Sequence, residues 1–523
     1  MFAHSFAPFV GGILSLIYSS GFVSAQLPLK SGVAVAARSP TPDDVGVFTP
    51  DDYRYFTNIN LGGLNLTVYL DTGSFDLVVY PRGRNIKLTN STNLQITEIY
   101  GIGDAEGDIQ FADLQLGNIT ISSQAFLLAT ETQDFTAYGD GILGLGFNSF
   151  STVYNTLAKA HGAEVAAQTG NTPMPALFAQ QLSLPRTVDI QLSREDELRD
   201  ITQGTFLIGE HDANFQQVTN APQLPVVSPG SRWAVVLDAM NINGAPFKFS
   251  KSSVPGTPDG KVVALLDTGY SFPPLPPAAV DAIYSSIPGA VRDPSLGFPW
   301  VVPCNASLKL SFVLGGQEFF VHPLDLTFVA TDLIGSSGKR VNATVCVNTF
   351  RYNTLNPQEF SGDDLNVGAP FMRNVYASFT YGIGPQSEGS FVQMVSTTPD
   401  FDTALEEFQT QRAATLAKLP PAVDPASLNN LSGPSLLSGA LFSSTAPTST
   451  PSASSSAQAV PAATISLSIG TPQGTTVTAS ALAPQNTTAG SNAQEPSGAM
   501  GRAVWGGKLL WTVALLSSIH LLL

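Results

Sequence analysis

The chain has 523 residues, with 24 Lys or Arg against 40 Asp or Glu, a formal charge of −16. Hydrophobic residues make up 43%, enough for a large packed core, so wholesale disorder is excluded. The acidic balance argues against nucleic acid and anionic lipid as partners, and only two Cys and five His remove most metal and thiol chemistries, so no cofactor or metal is expected.

Residues 7–23 form an apolar run that ends in Val23-Ser24-Ala25. Small residues at the first and third places before a scissile bond suit signal peptidase, so residues 1–25 read as a signal peptide; the alternative is an uncleaved anchor. Residues 26–50 form a short N-terminal or pro segment. Between about residues 50 and 395 the chain reads as many short strands, among them Ile119 to Leu128, Leu308-Lys309-Leu310-Ser311-Phe312 and Glu318-Phe319-Phe320-Val321. A helix is expected over Met174–Leu182. Another is expected behind Pro276-Pro277, where Ala279, Val280, Ile283 and Ile287 recur at helical spacing. The fold class is mostly β, in two lobes spanning 51–215 and 216–400, with Pro222–Pro229 as the crossover.

Cys304 and Cys346 are the single pair available, and secretion favours a disulfide over two free thiols. Closing that interval contributes about 3–4 kcal/mol in the loop-entropy account. Seven Asn-X-Ser/Thr sequons (Asn65, Asn90, Asn118, Asn305, Asn342, Asn430 and Asn486) fit the same route. Residues 401–433 read as a helix or linker after the lobes. From 434 to 497 Ser, Thr, Ala and Pro dominate, which suits an extended stalk open to O-glycosylation. Ser497-Gly498-Ala499, a short spacer and the apolar run Leu509–Leu523 match a GPI-attachment signal over 498–523, Ser497 being the favoured attachment residue. The alternative, a tail anchor, is short for the purpose, since fifteen residues rise only about 22 Å as a helix.

One pattern occurs twice. Val68-Tyr69-Leu70-Asp71-Thr72-Gly73-Ser74 is an apolar strand running into Asp-Thr-Gly, and Val263-Ala264-Leu265-Leu266-Asp267-Thr268-Gly269 repeats it 196 residues later. Each copy is followed by an apolar-Gly segment, Ile142-Leu143-Gly144-Leu145-Gly146 in the first and Leu365-Asn366-Val367-Gly368 in the second. A single Asp-Thr-Gly is an ordinary turn; two copies in the same setting imply related lobes facing across a cleft. Two carboxylates brought together there cannot both ionise cheaply and share a proton. One can then act as general base on a water while its protonated partner hydrogen-bonds a substrate carbonyl.

Residues 53–395 resemble a pepsin-like aspartic protease of peptidase family A1. The resemblance rests on Tyr55 to Gly62 leading into Asp71-Thr72-Gly73-Ser74, on Tyr100-Gly101-Ile102-Gly103, Asp140 to Gly146 and Asp267-Thr268-Gly269, and on the cysteine pair. The stalk and tail resemble the GPI-anchored, yapsin-type branch. What this implies is a bilobal β fold with Asp71 and Asp267 as a catalytic dyad, Thr72 and Thr268 bonding across the lobes beneath it, Gly73 and Gly269 completing the loops, and Ser74 bonding the outer oxygen of Asp71. Tyr100 and Gly101 fall where the family carries the flap that folds over bound peptide. Several residues depart from the pattern: Tyr270 replaces a small hydroxyl residue, Phe75 a small residue and Val78 a Trp, while Asn366 brings a polar group into the second apolar-Gly segment. Residues 26–50 are shorter and less basic than pepsin-type propeptides. The implied function is a secreted, cell-surface endopeptidase, monomeric, acting on peptide or protein substrates at acidic pH and held to the membrane through a lipid anchor alone. The alternative is a protease-fold protein with weak or no turnover that binds peptide or glycan at the cell wall.

Overall fold

The computed structural model describes residues 54–428 except 102, 134–138, 193, 195–201, 228–231, 293–299, 335–340, 354–361, 384–387 and 399, together with the backbone of 47–49. The expected signal peptide, nearly all of the 26–50 segment, the stalk and the GPI signal lie outside the described residues.

The first half opens with strands β1 (Phe56–Leu61) and β2 (Leu64–Asp71), joined by Gly62-Gly63 and paired antiparallel from Phe56↔Tyr69 to Leu61↔Leu64. The last four residues of β2 are buried on both faces, as a continuous apolar run requires. That burial is completed by β3 (Leu77–Val79) and β7 (Gly141–Gly144). The latter runs parallel to β2 in the register Tyr69↔Ile142, Leu70↔Leu143, Asp71↔Gly144. Between them lie the long strands β4 (Asn90–Ile99), β5 (Asp104–Leu116) and β6 (Ile119–Gln133), whose β4–β5 connection is a tight hairpin closed by Ile99↔Asp104. Helices α1 (Thr152–His161) and α2 (Pro173–Gln180) follow, then β8 (Thr187–Gln191) and β9 (Thr202–Ile208). The helix expected over 174–182 is thus present, entered through Pro173 at its first turn.

The second half repeats the construction. Strand β10 (Ala234–Leu237) pairs antiparallel with β11 (Val262–Leu265), which pairs parallel with β12 (Leu365–Asn366) in the register Ala264↔Leu365, Leu265↔Asn366. Helix α3 (Pro277–Ser285) starts on the second proline of Pro276-Pro277 and buries Ala279, Val280 and Ile283. The apolar run around Leu308 becomes a strand only from Leu310, and Leu310–Leu314 pairs with Gln317–Val321. Strands β13 (Val375–Thr380) and β14 (Phe391–Ser396) return to β8, so one sheet carries strands from both halves and reaches thirteen strands.

A single large core runs under both halves, with an aromatic knot at its centre. Trp233 sits 4.5 Å from Phe147 and 4.9 Å from Tyr381, ring to ring, and is fully buried. The Trp233 Nε1–H and the Tyr381 hydroxyl both donate to the Leu145 carbonyl, at 3.0 and 2.6 Å, while Leu145 N–H donates to the Asp71 carbonyl at 2.8 Å. The end of β2 is therefore fixed by groups contributed by the second half. Cys304 and Cys346 form the expected disulfide, with Cα atoms 5.2 Å apart. Helix α4 (Phe401–Leu416), capped by Asp400 accepting from Asp402 and Thr403 N–H, packs its buried Arg412 onto the Cys304 carbonyl at 2.8 Å.

Candidate active site

Each Asp-Thr-Gly stands at the end of an apolar strand, where the chain leaves a parallel pairing and has to turn. Asp71 is 8% exposed and Asp267 5%, so both carboxylates are withdrawn from bulk water and need partners. Gly73 N–H donates to Asp71 Oδ1 at 2.8 Å, and Gly269 N–H donates to Asp267 Oδ1 at 2.7 Å. The two loops also interlock. A Cβ placed on Gly73 would lie 2.3 Å from Asp267 Oδ2, and one on Gly269 would lie 2.1 Å from Asp71 Oδ1. Glycine is required at both places because the opposing carboxylate occupies the space a side chain would take.

Beneath the carboxylates, the threonines form a closed set of four bonds. Thr72 Oγ1 donates to the Leu266 carbonyl at 2.7 Å and accepts from Thr268 N–H at 2.9 Å. Thr268 Oγ1 donates to the Leu70 carbonyl at 2.8 Å and accepts from Thr72 N–H at 3.0 Å. Every atom in the set is buried, and each hydroxyl spends its proton on the opposite strand. The distance between the two Asp loops is fixed by this lattice rather than by the carboxylates.

Burial, added to by the charge on Asp71, pushes the Asp267 carboxyl well above the ordinary range, while hydrogen bonds from the Asn366 amide and Gly269 N–H pull against that rise. The two side chains are within hydrogen-bonding reach of each other. Burial and the neighbouring carboxylate thus both favour the protonated form of Asp267.

The remaining sequence-derived residues divide. Tyr100 sits at the tip of the β4–β5 hairpin, its N–H donating to the Gly103 carbonyl at 3.0 Å, and packs against the cluster that contains Val78, Tyr69 and Phe56. Next to it, Gly101 lies against the Tyr270 ring, so that a Cβ there would be 3.2 Å from the phenol oxygen. Ser74 departs from expectation: its Oγ is buried with no hydrogen-bond partner among the described residues, and the expected bond to the outer oxygen of Asp71 is not formed. The neighbouring Phe75 ring stacks on Phe150 at 5.9 Å with Arg232 over its face, and the Ser74 carbonyl accepts from Gly146 N–H at 2.9 Å. The backbone there is committed to the β7 segment.

Two groups escaped sequence reasoning. Asn366 Nδ2 donates to Asp267 Oδ2 at 2.6 Å, across 99 residues of sequence. Its only signal was a polar residue in an otherwise apolar segment. The second is a carboxyl pair under the hairpin, in which Glu98, two residues before Tyr100, hydrogen-bonds Asp76. Asp76 also accepts from Ser151 Oγ at 2.6 Å and from Thr152 N–H at 2.8 Å, at the start of α1. Burial pushes both carboxyls upward, and the charge on Asp76 adds to the rise at Glu98. Glu98 had no legible signal, because β4 reads as an exposed polar strand.

No group of His, Cys, Asp and Glu among the described residues is arranged to hold a metal ion. The eukaryotic aspartyl protease family profile matches residues 85–384, more than half of the chain, a span that contains Asp267, Asn366 and both cysteines and begins after Asp71. The aspartic-type endopeptidase ctsD of Aspergillus fumigatus is 26% identical over 394 residues, covering 69% of this chain and 73% of that protein. Penicillopepsin-2 of Penicillium janthinellum is 28% identical over 342 residues, covering 61% and 77%. Among solved structures, the aspartic proteinase of Irpex lacteus superposes with a TM-score of 0.51 at 18% identity, covering 69% of this chain and 98% of that one, which bears on the fold. With the bilobal mostly-β architecture and the duplicated Asp-Thr-Gly loops, these likenesses make the chain a member of the eukaryotic aspartyl protease family, an aspartic-type protease.

Proposed function

We propose that this protein is an endopeptidase that hydrolyses peptide bonds by acid–base activation of a water held between Asp71 and Asp267. One observation carries the reading: each carboxylate rests on the glycine of the opposite loop, in the gap held open by the Thr72–Thr268 lattice. In this reading Asp71 takes a proton from the water as it attacks the scissile carbonyl. Asp267, kept protonated by burial and by its neighbour's charge, donates to the carbonyl oxygen. Thr72 and Thr268 hold the geometry, and the Tyr100–Gly101 hairpin closes over the peptide and excludes water. Activity belongs at acidic pH, where the pair keeps its one proton.

The same proposal takes the protein to the cell surface. Its support is the apolar segment ending at Ala25, the Ser/Thr/Pro stalk, the terminal small-residue and apolar pattern, and five sequon asparagines that are exposed in the folded region (Asn65, Asn90, Asn118, Asn305 and Asn342). A GPI-anchored relative of the yapsin branch fits these features, as does a monomer. No described helix is long and apolar enough to cross a membrane.

The packing of Tyr270 against Gly101 and the unpartnered Ser74 hydroxyl favour a second reading, a protease-fold protein that binds peptide without turning it over. The two are separated by assaying casein and a peptide library at about pH 3–6, with and without pepstatin. Hydrolysis that pepstatin blocks and that Asp71→Asn or Asp267→Asn abolishes supports the endopeptidase. Pepstatin binding with no hydrolysis, unrecovered on Tyr270→Thr, supports the binding module. Cleavage that persists in Asp71→Asn and ignores pepstatin overturns the dyad.

A further inference from the structure

The two halves are built alike but differ at the carboxylates. Asp71-Thr72-Gly73-Ser74 is matched by Asp267-Thr268-Gly269-Tyr270. In the parallel pairings, Ile142 stands opposite Tyr69 and Asn366 opposite Leu265, in each case two residues before the Asp. Ile142 and Asn366 are therefore equivalent positions. Both are buried, at 1% and 4% exposure, yet one is an aliphatic chain and the other an amide. Ile142 packs in the cluster under the hairpin, whereas Asn366 turns its Nδ2 to Asp267 Oδ2 at 2.6 Å. Its own Oδ1 is left buried without a partner. An aliphatic residue would serve the packing without that unpaired oxygen, so the amide is present for what its donor does.

We infer that Asn366 is the positioning residue of the second carboxylate, orienting Asp267 and limiting its hold on the shared proton, so that it sets the alkaline boundary of the reaction. This rests on the endopeptidase reading above. With Gly269 N–H on Oδ1 and Asn366 Nδ2 on Oδ2, both oxygens of Asp267 accept a hydrogen bond from a group that can only donate. That arrangement favours the ionised form. The other charged groups facing this carboxylate are Asp71 from β2, which works in the opposite direction, and Tyr270 on its own loop with Arg351 behind it. Tyr270 is itself pushed up to about 12 by burial and by the Asp267 charge, and Arg351 is brought down to about 9 by burial, so neither changes charge in the acidic range. Within that range Asn366 is the side chain that opposes the upward push on Asp267.

Removing the donor makes ionised Asp267 less favourable, so the acid keeps its proton to higher pH and the alkaline limb moves up. The test is the pH profile of kcat/KM for the full chain, comparing wild type with Asn366→Leu, which keeps the side chain's branching with bulkier methyl ends and copies the apolar character of Ile142, and with Asn366→Thr, which keeps a donor. Asn366→Leu is expected to move the alkaline limb upward by about half a pH unit or more and to lower kcat roughly tenfold through looser orientation. Asn366→Thr is expected to lie between Leu and wild type, and it provides the readout if Asn366→Leu does not fold. A folded variant whose limb is unmoved, or moves to lower pH, overturns the inference and leaves Asn366 a packing residue. A wild type with no pepstatin-sensitive turnover overturns the endopeptidase reading and this inference with it, whereas an active wild type beside unshifted variants counts against Asn366 alone.

Discussion

Replacing Thr268 with Val tests whether the dyad is held by the lattice beneath it. Valine has the shape of threonine and leaves no cavity, so the change isolates the hydroxyl. Two bonds vanish: the one donated to the Leu70 carbonyl at 2.8 Å and the one accepted from Thr72 N–H at 3.0 Å. Leu70 and Thr72 are fully or almost fully buried, so no water replaces the missing partner. At about 1–3 kcal/mol for each buried group left unsatisfied, the loss is about 2–6 kcal/mol. With an unfolding entropy of roughly 2.1 cal/mol/K per residue over a folded span of about 375 residues, the midpoint should fall by about 3–8 °C. Activity should fall further than stability, because the lattice sets the separation of two groups that must share one water. A displacement on the order of 1 Å costs about a hundredfold in rate. Calorimetric unfolding and pepstatin-titrated kcat, measured side by side on wild type, Thr268→Val and Thr268→Ser, decide the matter. The serine variant keeps the hydroxyl and should recover most of both quantities. A Thr268→Val protein within about 1 °C of wild type and with unchanged kcat would refute the reasoning.

Gly73→Ala separates the fold from the chemistry in the opposite way. The new methyl would meet the Asp267 carboxylate at 2.3 Å, a group that can turn aside, so the unfolding temperature should change little while hydrolysis drops at least a hundredfold; full activity would show that Asp267 does not lie against Gly73. The Asp76–Glu98 pair predicts a pH-dependent gain from Glu98→Gln. Both carboxyls are raised in the folded state, first by burial, so as pH climbs above the ordinary carboxylate range the unfolded chain releases protons that the folded chain keeps, and wild-type stability declines. Glutamine cannot ionise and its amide can donate to Asp76, so the variant should unfold at a higher temperature than wild type near pH 7 and close to the wild-type temperature at pH 4. Equal midpoints at both pH values would mean that the pair is not under strain.

The chemistry-bearing pattern and the architecture were legible because they are local. An apolar run that is buried on both faces and stops at Asp-Thr-Gly announces a strand end with a withdrawn carboxylate, and its recurrence 196 residues later announces the second lobe. Pro276-Pro277 announced a helix start for the same reason, since proline fixes the backbone of the first turn whatever surrounds it. Helix α1 escaped notice even though Ser151 and Gly162 flank it, because only Val153 and Leu157 in it are buried and the apolar stripe is too thin to read.

Hydrogen-bond partners were decided elsewhere. Ser74 looked like a ligand of Asp71 and is not one, because its backbone is tied to Gly146 and its hydroxyl is left unpartnered. Glu98 lies on a strand of mostly exposed polar residues, yet the folding of α1 and of the Asp76 loop over it turns an apparent surface acid into one pushed upward by burial and by the charge on Asp76. Asn366 read as a flaw in an apolar segment until the parallel pairing with β11 placed it on Asp267. Residue order carries backbone preference and the periodicity of burial, which act over a few neighbours. Which donor meets which carboxylate depends on separations of a few tenths of an ångström between segments a hundred residues apart, and those are fixed only when both lobes close on a common core.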